Sequence, residues 1–234
     1  MAPQRLILFD LDGTLLDTGR GVVKCIATTL ARMGFEVPDE NTCRSFVGPP
    51  LKKRFLELYK ASVDTADAVM RAFREEYGKG DVFLADRYEG MEEVLAHLHS
   101  KFTLAVATYK REDHATRLLE KFGLAHFFDT ICGSDAAATM TKKQIAENAM
   151  RQLGASSADC ILVGDSNNDA ECAAELGITF VAATYGYGFK SEMDAAAFPH
   201  AGCARNPSEL VEIIECAAKG IPALNPKCEI RRYK

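Results

Sequence analysis

The chain has 234 residues, of which 47% are hydrophobic and 26% charged, and this is the composition of an ordinary globular protein. A formal net charge of −5 argues against a nucleic-acid or anionic-membrane partner held by a large basic surface. No apolar run approaches the ~20 residues that a membrane-spanning helix needs, and the first residues have no signal-peptide layout. The eight cysteines form no C-x-x-C pair. Together these features predict a protein of the reducing cytoplasm.

The first predicted strand is the apolar run Leu6–Leu11, and it leads into the stretch "DLDGT", which carries Asp10 and Asp12. If the strand continues through both residues, their side chains point to the same face. Two nearby carboxylates repel each other unless a positive group lies with them. A turn at the end of a solvated strand is the simpler interpretation. The residues in the rest of the chain distinguish a binding site from a simple turn.

A long segment of helical patterns follows, including Val23–Leu30 and Ala66–Tyr77. A crossover between parallel strands needs only one helix, which the pattern at Met91–Leu98 supplies. We therefore predict an α-helical insertion over residues 18–84, above the strand ends. The remaining core domain is discontinuous and comprises residues 1–17 and 85–234, of which 220–234 are predicted to form a surface extension.

After the insertion, strands alternate with helices. Helical patterns that stop at a glycine, such as the one from Ala115 to Gly123, separate the strands. Alternation of this kind predicts the α/β class, with a doubly wound, Rossmann-like parallel sheet. Ligands of such folds bind at the carboxyl ends of the strands. The further strands are predicted at Thr103–Thr108, Asp129–Gly133, Cys160–Gly164 and Thr179–Tyr185.

Counted from Leu6–Leu11, the second predicted strand is Thr103–Thr108 and the third is Asp129–Gly133, and polar residues lie at or after the ends of both. Thr108 ends the second strand at a strand-to-helix turn, where a hydroxyl and backbone N–H groups suit a phosphate oxygen. Lys142 and Lys143 stand at the head of the helix after the third strand. Both positions fall at the sheet edge where a ligand is expected.

Acidic residues follow the fourth strand in the stretch "VGDSNND", which contains Asp165 and Asp169. An i, i+4 pair shares one face if a helix begins there. With Asp10 and Asp12, four carboxylates then converge on one edge of the sheet. So many acids in one place need a hard divalent cation, and carboxylate oxygens suit Mg²⁺.

The chain resembles the haloacid dehalogenase superfamily of phosphohydrolases, and the resemblance extends to about residue 219. The inserted helices, with the segment "FVGPPL" at Phe46–Leu51, resemble the helical cap of the phosphoglycolate-phosphatase-like and nucleotidase-like branch. The four motifs of the superfamily are matched by Asp10-Leu11-Asp12-Gly13-Thr14, by Thr108, by Lys142, and by Gly164-Asp165 with Asp169.

This resemblance implies a Mg²⁺-dependent phosphatase. Asp10 would be the nucleophile that forms an aspartyl-phosphate. Asp12 would protonate the leaving oxygen and then activate water. Thr108 and Lys142 would hold the phosphoryl oxygens. The presence of an acid at Asp12 favours phosphoryl chemistry over dehalogenation.

The resemblance also implies the metal ligands, namely Asp10, the backbone carbonyl of Asp12, and Asp165. Asp169 would act either through a water molecule or by orienting Lys142. Lys143 could replace Lys142 in its role, but the apolar pattern that follows favours Lys142. The pair Tyr109-Lys110 departs from the family, in which Asn or Gly often follows the threonine.

The predicted substrate is a small phosphorylated metabolite, such as phosphoglycolate or a nucleotide. A β-phosphoglucomutase-like enzyme is the alternative, since it keeps all four motifs and differs only in cap contacts and water exclusion. A receiver-type phosphoacceptor module also uses acids, Thr and Lys, but it has no large helical insertion. Charged residues of the insertion that could meet an anionic substrate are Arg44, Lys52, Lys53 and Arg54.

Overall fold

The computed structural model of the chain describes residues 5–48, 51–137 and 139–221. Residues 222–234 of the predicted surface extension and two prolines of the "FVGPPL" segment lie outside these described residues. The strands, numbered in chain order, are β1 (Leu6–Phe9), β2 (Leu16–Asp17), β3 (Asp86–Arg87), β4 (Thr103–Arg111), β5 (Thr130–Ser134), β6 (Cys160–Gly164), β7 (Thr179–Ala183) and β8 (Cys203–Ala204).

Six of these strands form one parallel sheet in the order β5-β4-β1-β6-β7-β8. The predicted α/β class with a doubly wound parallel sheet is therefore confirmed. The helices are α1 (Gly19–Arg32), α2 (Glu40–Arg44), α3 (Leu51–Tyr59), α4 (Val63–Gly78), α5 (Met91–His99), α6 (Glu112–Lys121), α7 (Lys142–Gln152), α8 (Asn167–Leu176), α9 (Glu192–Ala195) and α10 (Glu209–Ala218).

Strand β1 lies at the centre of the sheet, between β4 and β6. Its side chains alternate between two hydrophobic clusters, because successive residues of a strand point to opposite faces. Ile7 and Phe9 belong to one cluster, whereas Leu6 and Leu8 belong to the other. Both faces of β1 are thus buried, which explains why its sequence is continuously apolar. The next residue, Asp10, therefore lies at the edge of a core from which water is excluded.

The inserted helices α1–α4, called the cap below, lie between two short strands that pair with each other. Strands β2 and β3 are antiparallel, with Leu16 opposite Arg87 and Asp17 opposite Asp86. Within the cap, Phe35 meets Phe55 edge to face and Phe55 stacks on Tyr59 at 4.8 Å between ring centroids. We keep the division into a cap of residues 18–84 and a core of residues 1–17 and 85–234 as a proposal.

The boundaries of several elements differ from the predicted ones. The first strand was expected to reach Leu11, but β1 ends at Phe9, and the chain then turns tightly. Backbone N–H groups of Thr14, Leu15 and Leu16 all donate to the Leu11 carbonyl, which holds this turn. Strand β4 continues beyond Thr108 to Arg111. The two-residue strands β2, β3 and β8 are too short for a hydrophobic period to reveal.

No helix among the described residues has the length and apolar character that crossing a membrane requires. The seven cysteines within the described part of the chain are all free thiols, and six of them are buried.

Candidate active site

Asp10 follows the last residue of β1, and its carboxylate is almost completely buried. The Lys142 ammonium lies 2.7 Å from Asp10 Oδ1 and 2.7 Å from Asp169 Oδ1. Lys142 is the first residue of α7, and only 4% of its side chain is exposed. The strand end and the helix start thus bring one cation and two carboxylates together away from bulk water.

The start of α7 is fixed by its own sequence. Thr141 is the N-cap, and Thr141 and Gln144 form a reciprocal capping box, so the helix begins at Lys142. The next lysine, Lys143, points elsewhere: its side chain is 40% exposed and lies 3.9 Å from Glu175. Of the two candidate lysines, Lys142 is the one that contacts Asp10 and Asp169.

Asp165 and Asp169 lie at the start of α8, on either side of its N-cap. Asp169 is the third residue of the helix, and its Oδ2 accepts hydrogen bonds from the backbone N–H and the hydroxyl of Ser166. Asp165 precedes the helix, so the predicted shared helix face does not apply. Its Oδ2 instead accepts from the backbone N–H groups of Tyr187, at 2.6 Å, and Gly188, at 3.1 Å. The loop after β7 therefore holds Asp165.

The carboxylates of this group repel one another in a buried place. Burial raises the pKa of Asp165 to about 8, and the charges of Asp169 and Asp10 add to this effect. Burial likewise raises the pKa of Asp10 to about 6, against the opposing attraction of Lys142. Burial alone would lower the pKa of Lys142, but the charges of Asp10 and Asp169 raise it above its usual range. The Lys142 ammonium alone does not offset the charges of the three carboxylates Asp10, Asp165 and Asp169.

These residues fit a hard divalent cation. Asp10, Asp165 and Asp169 each offer a carboxylate oxygen, and the three oxygens lie within 4.8 Å of one another. Asp165 Oδ1 is buried and has no hydrogen-bond partner among the described residues. An all-oxygen donor set of this kind suits Mg²⁺ rather than zinc, which favours nitrogen and sulfur.

Two glycines allow the close approaches on which the site depends. Gly13 has a φ of +82°, and a Cβ there would collide with the Asp165 carboxylate. A Cβ at Gly164, the last residue of β6, would collide with the side chain of Asp169. The glycines of the first and fourth motifs thus let the backbone pass directly beside the acids.

Asp12 lies in the turn after β1 and is held separately from Asp10. Its Oδ1 accepts a hydrogen bond from the Thr18 hydroxyl at 2.5 Å and lies 3.0 Å from the Lys110 ammonium. Burial alone would lower the pKa of Lys110, but the charge of Asp12 raises it. The Lys110 ammonium also donates to the Tyr77 hydroxyl at 3.1 Å.

Thr108 lies in β4, beside β1, and is buried. Because Val106 is in register with Phe9, Thr108 falls just beyond the end of β1, level with the motif that carries Asp10. Its hydroxyl accepts a hydrogen bond from the Lys110 backbone N–H at 3.2 Å.

A cavity of about 590 Å³ opens beside Asp12, between the cap and the core. Its apolar wall includes Phe46, Met70 and Phe73 of the cap. Lys110 and Arg74 also line it, and Arg74 donates to the Ala137 carbonyl across the cap–core boundary. The volume falls within the ~300–1,000 Å³ range of small-molecule sites.

Of the four cap cations considered from the sequence, Lys52 lines this cavity and is paired with Asp67 at 2.6 Å. Lys110, Tyr77 and Tyr187 were not predicted to belong to the site. For Lys110 the sequence carried one signal: if the strand continued beyond Thr108, the side chain of Lys110 would point to the same face as that of Thr108. No comparable signal pointed to Tyr77 or Tyr187.

Comparison with known proteins places this site in a family. The model of the haloacid dehalogenase-like hydrolase family matches residues 7–183. These residues include Asp10, Asp12, Thr108, Lys142, Asp165 and Asp169. The chain belongs to this family, and the prediction of a phosphatase-type hydrolase is confirmed at that level.

The chain is 30% identical to a 5'-nucleotidase of Pseudomonas aeruginosa over 81% of its own length and 86% of the relative. It is 33% identical to a phosphoglycolate phosphatase of Pseudomonas syringae pv. syringae over 78% of its length and 70% of the relative. It is also 32% identical to the tyrosine-protein kinase PtkA of Mycobacterium tuberculosis, covering 80% of this chain and 64% of that protein.

Among solved structures, the fold is similar to that of a predicted phosphatase from Clostridium acetobutylicum. The TM-score is 0.84 at 32% identity, and the alignment covers 92% of this chain and 99% of the other. The similarity extends over the cap as well as the core.

Proposed function

We propose that the protein is a Mg²⁺-dependent phosphomonoester hydrolase that acts on a small organic phosphate through an aspartyl-phosphate intermediate. The observation that carries this proposal is the position of Asp10. It lies at the end of the central strand, paired with Lys142 and beside a buried group of carboxylates, and Asp12, two residues further on, lines a cavity of substrate size.

In the first half of the proposed reaction, a carboxylate oxygen of Asp10 attacks phosphorus and the bond from phosphorus to the substrate oxygen breaks. Asp12 gives its proton to that departing oxygen, so the alcohol leaves neutral. Thr108 and the Lys142 ammonium hold the phosphoryl oxygens, where developing negative charge needs donors.

In the second half, water attacks phosphorus and the bond to Asp10 breaks, which releases phosphate and regenerates the carboxylate. Asp12, now deprotonated, accepts the proton of the attacking water. One residue thus serves as acid and then as base, and its protonation state is reset in each turnover.

Asp10, Asp165 and the backbone carbonyl of Asp12 would hold Mg²⁺. When bound, the cation supplies positive charge that offsets the carboxylates and the phosphoryl group. Asp169 is assigned mainly to orienting Lys142, because its Oδ1 lies 2.7 Å from that ammonium while its Oδ2 caps α8.

The cavity supports a substrate with an extended, partly apolar alcohol portion. Phosphoglycolate and nucleotides are both proposed, in line with the names of two relatives. An apolar wall with aromatic side chains and a volume of about 590 Å³ favour the larger nucleotide-like ester. A cytoplasmic location is proposed with this function, since buried free thiols suit a reducing compartment.

A panel of phosphate esters assayed with Mg²⁺ tests the proposal. It should include a nucleoside monophosphate, phosphoglycolate, a sugar phosphate and a folded phosphotyrosyl protein. We expect release of inorganic phosphate from the small esters and none from the Asp10→Asn variant. Transfer of the phosphoryl group back to a sugar would instead identify a mutase, and comparable efficiency on the phosphoprotein would contradict the small substrate.

A further inference from the structure

Lys110 occupies a place that the proposed mechanism does not use. Its side chain is only 5% exposed, and its ammonium lies between two partners: Asp12 Oδ1 at 3.0 Å and the Tyr77 hydroxyl at 3.1 Å. The same ammonium lies 4.9 Å from the centroid of the Tyr77 ring. Desolvating an ammonium without good partners is costly, so Asp12 and Tyr77 hold the buried ammonium in one position.

We propose that Lys110 is a positioning residue for Asp12 and that Tyr77 makes this positioning depend on the docked cap. The inference rests on the proposed role of Asp12 in proton transfer. It adds a residue pair that controls how well that transfer is aligned.

The two groups that hold Asp12 both reach the same oxygen. Thr18 donates to Oδ1 at 2.5 Å, and Lys110 pairs with Oδ1 at 3.0 Å. Two donors on one oxygen fix the rotation of the carboxylate. The other oxygen, Oδ2, is thereby assigned to the proton that moves in the reaction. Removing Lys110 leaves Thr18 as the single side-chain donor to Oδ1 among the residues that the structure describes, and frees the carboxylate to rotate.

Tyr77 connects this arrangement to the cap. It lies on α4, its side chain is buried, and its ring stacks on Phe73 at 5.3 Å between centroids. The hydroxyl therefore has a fixed position relative to α4. Lys110 belongs to the core strand β4, so the hydrogen bond between them forms only when α4 lies against the core. A docked cap completes the support of Asp12.

Direct binding of substrate phosphate by Lys110 is the competing explanation, since Lys110 also lines the cavity. The two explanations predict different kinetics. A lysine that binds phosphate affects all esters alike and chiefly raises KM. A lysine that positions Asp12 affects those steps in which a proton must move.

The experiment compares Lys110→Met and Tyr77→Phe with wild-type protein in rapid-quench assays of phosphoenzyme formation and breakdown. One ester is p-nitrophenyl phosphate, whose leaving group needs little protonation, and the other is an alkyl phosphate. Matched controls are Lys101→Met, at a surface ion pair, and Tyr59→Phe, which removes a hydroxyl elsewhere in the cap.

For Lys110→Met we expect phosphoenzyme formation from p-nitrophenyl phosphate close to the wild-type rate. Formation from the alkyl ester, and breakdown of the phosphoenzyme, should slow by up to ~10²-fold, the cost of misplacing a reacting group by about 1 Å. Tyr77→Phe should show the same pattern at roughly two- to tenfold, the effect of one hydrogen bond. Both controls should behave as wild type.

Equal slowing with both esters, a rise in KM alone, or wild-type rates in both variants would overturn the inference. If Lys110→Met does not fold, as judged by thermal unfolding, Tyr77→Phe decides the question alone. Failure of the proposed function is separable, because it appears as turnover by Asp10→Asn or as no phosphoenzyme in the wild type.

Discussion

The Asp10 carboxylate and the Lys142 ammonium form an ion pair at 2.7 Å that joins the end of β1 to the start of α7. Both side chains are almost fully withdrawn from water, and the same ammonium also contacts Asp169. Lys142→Met should therefore lower kcat by roughly 10²–10³-fold, the usual cost of losing one donor that stabilises transition-state charge.

Lys143→Met is the matched control, because the exposed Lys143 lies next to Lys142 in sequence and contacts Glu175 instead of the site. Its steady-state kinetics should stay within twofold of wild type, a margin of roughly 0.4 kcal/mol that is typical of surface changes. A larger loss in Lys143→Met than in Lys142→Met would mean that the assignment is wrong by one residue.

Chelation should abolish phosphatase activity, and added Mg²⁺ should restore it. Titration calorimetry of the two acid variants separates their roles. Asp169→Asn should weaken Mg²⁺ binding by ~10–100-fold, as for an outer residue that supports the ligand Asp10 by orienting Lys142. Asp165→Asn should weaken it more. Asp165 Oδ1 has neither a hydrogen bond nor an ion pair among the described residues, whereas Asp169 Oδ1 is ion-paired with Lys142 and Asp169 Oδ2 accepts from Ser166. Undiminished turnover in chelator would remove the metal from the mechanism.

Asp12→Asn should separate the two halves of the reaction. The departing p-nitrophenolate needs little protonation, so the variant should release at most one p-nitrophenol per site in a burst. Slow turnover should follow, since the base for phosphoenzyme hydrolysis is missing and such catalysis contributes ~10²–10⁴-fold. Asp10→Asn should give no burst. Identical behaviour of the two variants would contradict the division of roles.

His114 should make the folded protein sensitive to acid. Burial lowers its pKa to about 4, with the cations Arg111, Lys110 and Arg117 acting in the same direction and Asp113 opposing them. In the unfolded chain the pKa is near 6.5. As the pH falls from 6.5 towards 4, the unfolded chain therefore binds a proton that the native protein does not, and the free energy of unfolding decreases.

Urea denaturation of wild type and His114→Gln across this range measures the effect. The wild type should lose more stability on acidification than the variant. The difference should level off below pH 4, where His114 is protonated in both the folded and the unfolded wild-type protein. The exposed His126 provides the control, since His126→Gln should follow the wild-type curve. Parallel curves for wild type and His114→Gln would show that His114 titrates alike in both states.

Much of the fold could be predicted because its signals are local. Apolar runs that alternate with helical periods indicate a parallel sheet, and motif residues at strand ends must then meet at one edge. Asp10, Lys142, Asp165 and Asp169 were expected there on that ground, and they lie within one connected group of contacts.

Other features depend on tertiary contacts that no local period reveals. The turn after β1 removes Asp12 from the strand, so its partners are Thr18 and Lys110 rather than those of Asp10. Asp165 is fixed by backbone N–H groups of a loop that follows a later strand. Every residue except proline has a backbone N–H group, so the residue types in a sequence do not show which of these groups will donate to Asp165.

The pairing of β2 with β3 also has a consequence for how this architecture can diversify. Asp17 lies opposite Asp86, so the chain enters the cap and leaves it at almost the same point. An exchange of everything between these two positions would leave strand order, register and the group around Asp10 intact. The β2–β3 pair is thus a natural boundary for recombination, where new substrate selectivity can be combined with unchanged chemistry, provided that the incoming segment supplies a donor to Asp12 in place of Thr18 and a partner for Lys110.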